Sequence, residues 1–402
     1  MSGSQAPARE PRWQGALDII AEMRRQPGIT RADAARRRGL SSGSATDIIA
    51  RLRRISLIDE TPAPTGTRGR PTGALSPHPD GPIVLAIDIR RSGWHSAYAG
   101  IDGQPHRLQP RGPANPPRSV ISELGAAVAQ ARDSFGARLS AVSVSVAGTV
   151  QNGRVVHSAA LGWKTLDLAE ITATGDLPLL IGNDATLAAT AEARSGAASA
   201  ARTSLHLTVM TGIGGALISD GRPLTGATGA GGEFGHLPFG DPAVPCPCGA
   251  RGCWDMEVDG RALARLLGDT EPGDPYRYAA GVIAAAPGDA QVMVAVTHAA
   301  TSLARGVAGL VNACDPEIVT LGGLGPSLAS AAADAFEDSY RRGLMSFRRA
   351  LPPPIVTAGY KDDGPLRGAI EVAFDTVLSE TGLTSWSAKQ ARNPATGTRT
   401  RR

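Results

Sequence analysis

Four residues that bind metals well lie close together in one stretch of the chain. His236 is followed by Cys246, Cys248 and Cys253, which are three of the four cysteines in 402 residues. One imidazole and three thiolates form the tetrahedral ligand set of a structural zinc, and the intervening prolines and glycines permit the turns that bring the thiolates to one ion. Because four protein ligands leave no open position for an activated water, we predict a structural rather than a catalytic Zn²⁺ at this site.

The alternative is three reduced surface thiols beside an unrelated histidine. In a cytosolic chain, clustered cysteines favour metal binding over disulfide formation. We expect a cytoplasmic protein, since the N-terminus lacks the basic start and apolar stretch of a signal peptide. No segment approaches the roughly 20 apolar residues that span a membrane, so no membrane partner is expected.

Positive charge is concentrated at the N-terminal end of the chain. Residues 1–75 contain 13 Lys or Arg and 7 Asp or Glu, whereas the other residues contain 28 and 30. An excess of positive charge in one segment is expected where a protein contacts phosphates. The alternative is a solvated basic face in a chain rich in arginine.

Apolar residues at helical intervals predict three helices in this N-terminal segment. The first spans residues 13–25, the second spans 31–38 behind an N-cap at Thr30, and the third spans about 42–54 after a glycine turn. Two short helices joined by such a turn form a helix-turn-helix, whose second helix enters the major groove of DNA. The third helix is predicted to place a polar set outward, near bases or phosphates: Ser42, Ser44, Thr46, Asp47 and Arg51.

A stretch rich in threonine, proline and glycine follows and predicts a β-wing. Its narrow tip carries Arg68 and Arg70, which would fit an A·T-rich minor groove, where the negative potential is deepest. The alternative is a flexible basic linker without groove contact. The predicted organisation is a disordered leader over 1–12, a winged helix-turn-helix over 13–75, a linker over 76–82, a larger body over 83–386 and a disordered tail over 387–402.

Apolar strands alternate with helices from residue 82 onward. This alternation predicts an α/β protein with two lobes. Strands are expected at residues 83–89, 139–148, 177–184, 204–218 and 317–325, and helices at 120–135, 185–193, 292–314 and 366–380.

Several motifs of the body resemble those of one known family. Residues 231–236, GGEFGH, match an E-x-G-H motif, and residues 246–253, CPCGARGC, match the zinc motif of the ROK family (repressor, open reading frame, kinase). The N-terminal segment, with Gly69-Arg70-Pro71 in its wing, also resembles the family's transcriptional regulators. Less specific matches extend the resemblance over roughly residues 83–380: Val146-Ala147-Gly148 with Gly162-Trp163, Asn183-Asp184-Ala185, residues 211–215 and residues 321–325.

The resemblance implies a two-lobed actin-like ATPase fold of the hexokinase type, in which a sugar binds between the lobes. In the family's kinases the residue matching Asp184 is the general base that takes a proton from a sugar hydroxyl, and those matching Asn183 and Glu233 hold sugar hydroxyls. His236 would bind zinc through one nitrogen and offer the other to the sugar. For Asn183 and Asp184 the alternative is a turn or helix N-cap, because a helix begins there. Asp255 stands where the family usually has Glu, so the resemblance does not carry a sugar contact to it.

One departure from the family bears on kinase activity. Active members of this superfamily have D-x-G-x-T after the first strand of the body, and its glycine lets the backbone approach the phosphates of ATP. Here the loop is Asp88-Ile89-Arg90-Arg91-Ser92. Arg90 adds bulk where glycine permits close approach, so we expect phosphotransfer from ATP to be lost.

These features favour a DNA-binding transcriptional repressor whose operator affinity is controlled by a sugar or sugar derivative in the kinase-like cleft. Because one winged helix reads one half-site, we expect a homodimer or a dimer of dimers on an inverted repeat of double-stranded DNA. The first alternative is an ATP-dependent sugar kinase with an appended DNA-binding head, in which Asp184 would be catalytic. The second is a zinc-stabilised scaffold without a ligand.

Overall fold

The computed structural model describes residues 13–62, 73–108, 112, 114–158, 160–172 and 176–392. Its first part, here called the head, covers the described residues from 13 to 77. The oxygens of Thr30 and Ser41 each accept a hydrogen bond from the backbone amide three residues on, which fixes where two of its helices begin. The head contains α1 (Gln14–Arg25), α2 (Arg31–Arg37), α3 (Ser42–Arg54), β1 (Ile58–Pro62) and β2 (Gly73–Pro77).

The head has the predicted winged helix-turn-helix arrangement. Strands β1 and β2 pair antiparallel, with Ile58 opposite Pro77 and Pro62 opposite Gly73. The tip of this hairpin, with Arg68 and Arg70, falls outside the described residues, so the minor-groove contact stays a prediction.

The first lobe is built on a five-stranded sheet with the order β5-β4-β3-β6-β9, and a short hairpin, β7-β8, precedes β9. Strands β3, β6 and β9 are parallel, so Ile89, Val146 and Asn183 reach the same edge of the sheet. This edge is where a ligand site forms in sheets of parallel strands. The elements are β3 (Ile83–Arg90), β4 (Gly93–Ala99), β5 (His106–Arg107), α4 (Pro117–Phe135), β6 (Leu139–Val146), β7 (Thr149–Gln151), β8 (Arg154–His157) and β9 (Leu179–Asn183).

The next helix, α5 (Asp184–Ser195), leads into the second lobe, whose five-stranded sheet has the order β12-β11-β10-β13-β14. Its apolar core is centred on the long helix α9. The elements are β10 (Thr203–Met210), β11 (Gly212–Ser219), β12 (Arg222–Pro223), α6 (Asp255–Val258), α7 (Gly260–Leu267), α8 (Pro275–Ala285), α9 (Ala290–Cys314), β13 (Ile318–Gly323), α10 (Gly325–Ala331), α11 (Ala333–Gly343) and β14 (Ile355–Thr357).

Two helices join the lobes: α5 packs against β10 and β11 of the second lobe, whereas α12 (Gly364–Val377) packs against β3 and β6 of the first. The two helices also pack against each other. A Cβ atom on Gly368 would lie 1.9 Å from the carbonyl oxygen of Leu187, so only glycine permits this close crossing. The lobes therefore meet through a helix pair whose backbones are nearly in contact.

The last helix of the described residues, α13 (Glu380–Arg392), forms hydrogen bonds with the head. The indole of Trp386 donates a hydrogen bond to the carbonyl oxygen of Ile55, and the indole of Trp13 donates to the hydroxyl of Thr384. The apolar residues of α1 and α3 share one core with α12, α13 and the inner face of the first lobe's sheet. The head therefore has no separate hydrophobic core.

The structure corrects several of the sequence-based expectations about the fold. Ser76 and Pro77 belong to β2, so only residues 78–82 connect head and body. The body was expected to end at residue 386, but this residue lies inside α13, where the side chain of Trp386 is buried. Residues 204–218 form the hairpin β10-β11 rather than one strand, because the chain reverses at Gly212, which has φ 110°. Contrary to our expectation, α9 is long and apolar enough to cross a membrane. However, 61% of its most apolar stretch is buried inside the protein, as in a core helix.

Candidate functional site

The predicted zinc ligands are brought together by the loop that follows β12. The ligand atoms of His236, Cys246, Cys248 and Cys253 all lie within 4.8 Å of one another. The Cys248 and Cys253 sulfurs are 3.7 Å apart, and His236 Nδ1 lies 3.8 Å from the Cys246 sulfur. A tetrahedron with metal–sulfur bonds of about 2.3 Å has edges of about 3.8 Å, so this geometry fits a zinc ion.

Two of the three thiols of this cluster, Cys246 and Cys253, have raised pKa values and need a cation to ionise at neutral pH. Burial, reinforced by the neighbouring Cys246 and Cys248 sulfurs, raises the pKa of the Cys253 thiol to about 12. Burial also raises the pKa of Cys246. A bound divalent metal would hold these thiols as thiolates at neutral pH, because metal binding displaces their protons.

His236 joins the metal cluster to the cleft between the lobes. Its Nδ1 faces the sulfurs, whereas its Nε2 lies 4.0 Å from Glu233 Oε2. One nitrogen thus lies toward the cysteines and the other toward Glu233, and the sugar contact of His236 stays a prediction. Glu233 itself is exposed and accepts a hydrogen bond from the hydroxyl of Thr149, at 2.8 Å.

Asn183 and Asp184 lie where β9 ends and α5 begins. Asn183 Oδ1 accepts the backbone amide of Thr186, at 3.0 Å, so the N-cap expected as the alternative is formed. Its Nδ2 donates to the carbonyl oxygen of Gly148, at 3.0 Å. Because Thr149 follows Gly148 and contacts Glu233, a series of contacts runs from Asn183 on the first lobe to Glu233 and His236 on the second. Their contacts with a sugar stay a prediction.

Thr149 is a cleft residue that the sequence analysis did not single out. It lies on the first lobe, and its hydroxyl bridges to Glu233 on the second. Its position directly after the Val146-Ala147-Gly148 match was the available signal.

The environment of Asp184 suits a proton acceptor at neutral pH. Burial among protein atoms, with the nearby negative charge of Asp88, raises the pKa of Asp184 to about 7. Its Oδ1 accepts the backbone amide of Ala185, at 2.9 Å. A carboxyl group with such a pKa exchanges a proton readily near pH 7.

Asp255, two residues after Cys253, is held against the glycine-rich turn. Its Oδ1 accepts the backbone amide of Ile213, at 2.6 Å, and its Oδ2 lies 3.7 Å from His236 Nδ1. The carboxylate therefore connects the start of β11 to the metal cluster.

Arg90 is the last residue of β3 and Arg91 lies in the turn to β4, so the loop expected at Asp88–Ser92 is a strand as far as Arg90. Arg90 Nε donates to Asp88 Oδ2, at 2.5 Å, and its Nη2 donates to the carbonyl oxygen of Asp362. Arg91 Nη2 donates to the carbonyl oxygen of Gly273 on the second lobe, at 2.7 Å. Arg90 thus pairs with the buried Asp88 carboxylate, and Arg91 links the first lobe to the second.

The outer face of α3 has the predicted polar character except at one residue. Ser42, Ser44, Thr46 and Asp47 are exposed. Arg51 was expected to point outward, but its guanidinium lies 3.5 Å from the ring centroid of Trp13 and is half-buried.

Arg54 is exposed and lies on the same helix face as Asp47, seven residues earlier. The sequence analysis did not select it, because it could not tell which arginine would stack on Trp13.

A family model described as "ROK family" matches residues 87–376. The chain belongs to the ROK family. Among its curated ROK relatives, a glucokinase of Streptomyces coelicolor is 27% identical and covers 72% of this chain and 97% of its own length. An N-acetylmannosamine kinase of Salmonella typhimurium is 30% identical and covers 73% of this chain and 99% of its own.

Solved structures of ROK proteins share the fold. A ROK family transcriptional regulator, described as a homologue of the E. coli MLC protein, aligns with a TM-score of 0.73 over 94% of this chain and 99% of its own, at 22% identity. A ROK glucokinase from Streptomyces griseus in complex with glucose and AMPPNP aligns with a TM-score of 0.60 over 73% and 99%, at 26% identity. The predicted two-lobed sugar-kinase fold with an N-terminal winged helix-turn-helix is confirmed.

Replacing Cys253 with serine should release the metal. We expect elemental analysis to find about one zinc per wild-type chain and clearly less in Cys253→Ser, with a melting temperature lower by about 5 °C or more, because a four-ligand site contributes to folding. Cys314→Ser, outside the cluster, is the control and should keep both properties. Equal zinc content in the two variants would contradict the assignment.

Replacing Asp184 with asparagine should stabilise the protein at neutral and alkaline pH. A carboxyl group whose folded-state pKa is raised binds its proton more tightly in the folded chain, so stability falls as pH rises from about 4 to about 7. Asp184→Asn removes this loss. Thermal unfolding at about pH 8 should therefore show a higher melting temperature than wild type, and the difference should vanish near pH 4.

The control for losing one carboxylate is Asp133→Asn, on the exposed face of α4. A melting temperature of Asp184→Asn equal to or below that of wild type at about pH 8 would argue against the raised pKa.

Proposed function

We propose that this ROK protein is a DNA-binding transcriptional repressor controlled by a sugar or sugar derivative, without kinase activity. The observation that carries the proposal is the position of Arg90. Its guanidinium pairs with buried Asp88 at the end of β3, where the resemblance places the backbone that approaches the phosphates of ATP in a kinase. The cleft keeps its candidate sugar residues, and the head provides a partner surface that a kinase does not require.

The head would bind DNA through α3. Ser42, Ser44, Thr46 and Asp47 offer hydroxyls and one carboxylate toward the major groove, and Arg54 provides a cation on the same face. Asp47 would avoid phosphate and accept from a cytosine amino group. Since one head covers a half-site, we propose a homodimer or dimer of dimers on an inverted repeat.

A sugar is the proposed effector because the cleft combines amide, carboxylate and imidazole groups at hydroxyl-binding positions. Asn183, Asp184, Glu233 and His236 would accept from and donate to its hydroxyls. Relatives named as glucokinase and N-acetylmannosamine kinase make glucose and N-acetylmannosamine the first compounds to test.

The second candidate is an ATP-dependent sugar kinase with an appended DNA-binding head. The curated kinase relatives and the pKa of Asp184 near 7 favour it, because a general base works best with a pKa near the working pH. The two candidates differ at Arg90: a kinase would require the backbone there to approach the phosphates of ATP, whereas a repressor would not.

The deciding experiment selects bound sequences from random double-stranded DNA with the full-length chain, at fixed salt. The selected DNA is then titrated with and without glucose or N-acetylmannosamine, and ADP release is followed in parallel with Mg-ATP. We expect an inverted repeat, weaker binding with one of the sugars, and no sugar-dependent ADP. ADP release that requires the sugar, without any selected sequence, would establish the kinase instead.

Arg54→Ala should weaken operator binding because it removes a cation from the DNA-facing side of α3. Loss of one such contact corresponds to about 1–3 kcal/mol, or roughly 5- to 150-fold in affinity; for a phosphate contact the salt slope should also fall by about one. Arg202→Ala, at an exposed arginine of the body, is the matched control and should leave both quantities unchanged. An Arg54→Ala variant with wild-type affinity would remove this residue from the interface.

A further inference from the structure

Glu371 on α12 lies between an arginine of the head and an arginine of α5. Its Oε1 accepts a hydrogen bond from Arg24 Nη2 on α1, at 3.0 Å, and its Oε2 lies 4.0 Å from Arg194 Nη1. The side chains of Glu371, Arg24 and Arg194 are only 15–20% exposed, so solvent screens their charges less than on an open surface. One carboxylate thus touches both the head and a helix of the body.

Helix α5 connects this carboxylate to the cleft. Asp184 is its first residue, and Arg194 lies near its last turn, about 15 Å away along the helix axis. Arg194 also pairs with Asp375 through both of its terminal nitrogens, each at 2.8 Å, and its Nε donates to the carbonyl oxygen of Gly221 in the second lobe. A shift of α5 at the cleft must therefore displace the guanidinium that α12 holds.

The crossing of α5 and α12 leaves little freedom between them. Gly368 lies against the backbone of Leu187, and a Cβ atom on Gly364 would lie 3.0 Å from the Cβ of Ala188. Close-packed backbones move together rather than deform. The N-terminal end of α12 follows Asp362 and Asp363, which contact Arg90 and Arg107 of the first lobe. Residues 361–363 also pack against β13 of the second lobe, so the segment that leads into α12 contacts both lobes.

The contact between α12 and the head has an open groove beside the core that they share. The guanidinium of Arg24 lies 5.1 Å from the ring centroid of Phe374, and next to it a groove of about 260 Å³ lies between α1 and α12. Leu17, Ile20 and Leu378 line it together with charged side chains. The contact between α1 and α12 is therefore interrupted by this groove, whereas the core that they share stays buried.

We infer that the Arg24–Glu371–Arg194 group couples the sugar cleft to the head, so that movement of α5 and α12 on sugar binding changes the orientation of the recognition helix. The inference rests on the proposed function, because it names the route by which that function is regulated. Arg24, Glu371 and Arg194 are positioning residues: they act on DNA affinity through the head and contact neither sugar nor DNA.

The test uses the full-length chain with Glu371→Gln, which keeps the size of the side chain and removes its charge. Operator affinity is measured with and without glucose and N-acetylmannosamine, and sugar affinity is measured by calorimetry without DNA. A coupled wild-type protein should show a sugar-dependent change of about 5- to 150-fold in operator affinity. We expect this change to fall at least about threefold in Glu371→Gln, while its sugar affinity stays within about twofold of wild type.

Arg24→Gln removes the other half of the same contact and keeps the test valid if Glu371→Gln does not fold. The double variant should lose no more coupling than either single variant, because residues of one pair are not additive. Glu337→Gln, in an exposed ion pair with Arg341 on α11, is the matched control and should respond to sugar like wild type.

Full sugar response in both Glu371→Gln and Arg24→Gln would overturn the inference and leave the proposed function standing. Loss of sugar affinity in these variants would also overturn it, because the residues would then act on the cleft itself. A wild-type chain that binds its operator but responds to neither sugar would count against the sugar-responsive regulator and, with it, the coupling.

Discussion

The close crossing of α5 and α12 is the constraint on which the other parts of the molecule depend. Gly368 allows the two backbones to touch at Leu187, and no residue with a side chain fits there. Because α5 packs on one sheet and α12 on the other, this contact sets the distance between the lobes. This helix pair positions the cleft residues at the start of α5, the end of β3 with Arg90, and the head.

The metal cluster and the cleft are also parts of one arrangement. The loop that carries Glu233 has little regular structure, so its position depends on what its ends are attached to. His236 faces the cysteines with one nitrogen and Glu233 with the other, and Asp255 ties the same region to the glycine-rich turn through Ile213. A metal bound by the four ligands would fix this loop without taking part in any reaction.

Much of the fold and of the site could be predicted from the sequence, because the relevant signals are local. The spacing of the cysteines, the caps at Thr30 and Asn183 and the apolar periodicity of the strands each depend on neighbouring residues. Contacts between distant segments could not be predicted. Arg51 and Arg54 are both arginines near the end of the same predicted helix, and the sequence does not show which of them faces solvent. The position of Trp13 decides it, because Arg51 stacks on its ring and Arg54 stays exposed. The Thr149–Glu233 contact likewise depends on how two lobes approach each other.

The position of α13 has a consequence for how the chain matures. Domains at the N-terminus usually fold first as a polypeptide leaves the ribosome. Here the end of α3 is held by Trp386, and Trp13 is held by Thr384, so the head lacks part of its support until residue 386 has been synthesised. A chain that stops before Trp386 would carry an incompletely supported α3. The head therefore reaches its final structure together with the body rather than ahead of it.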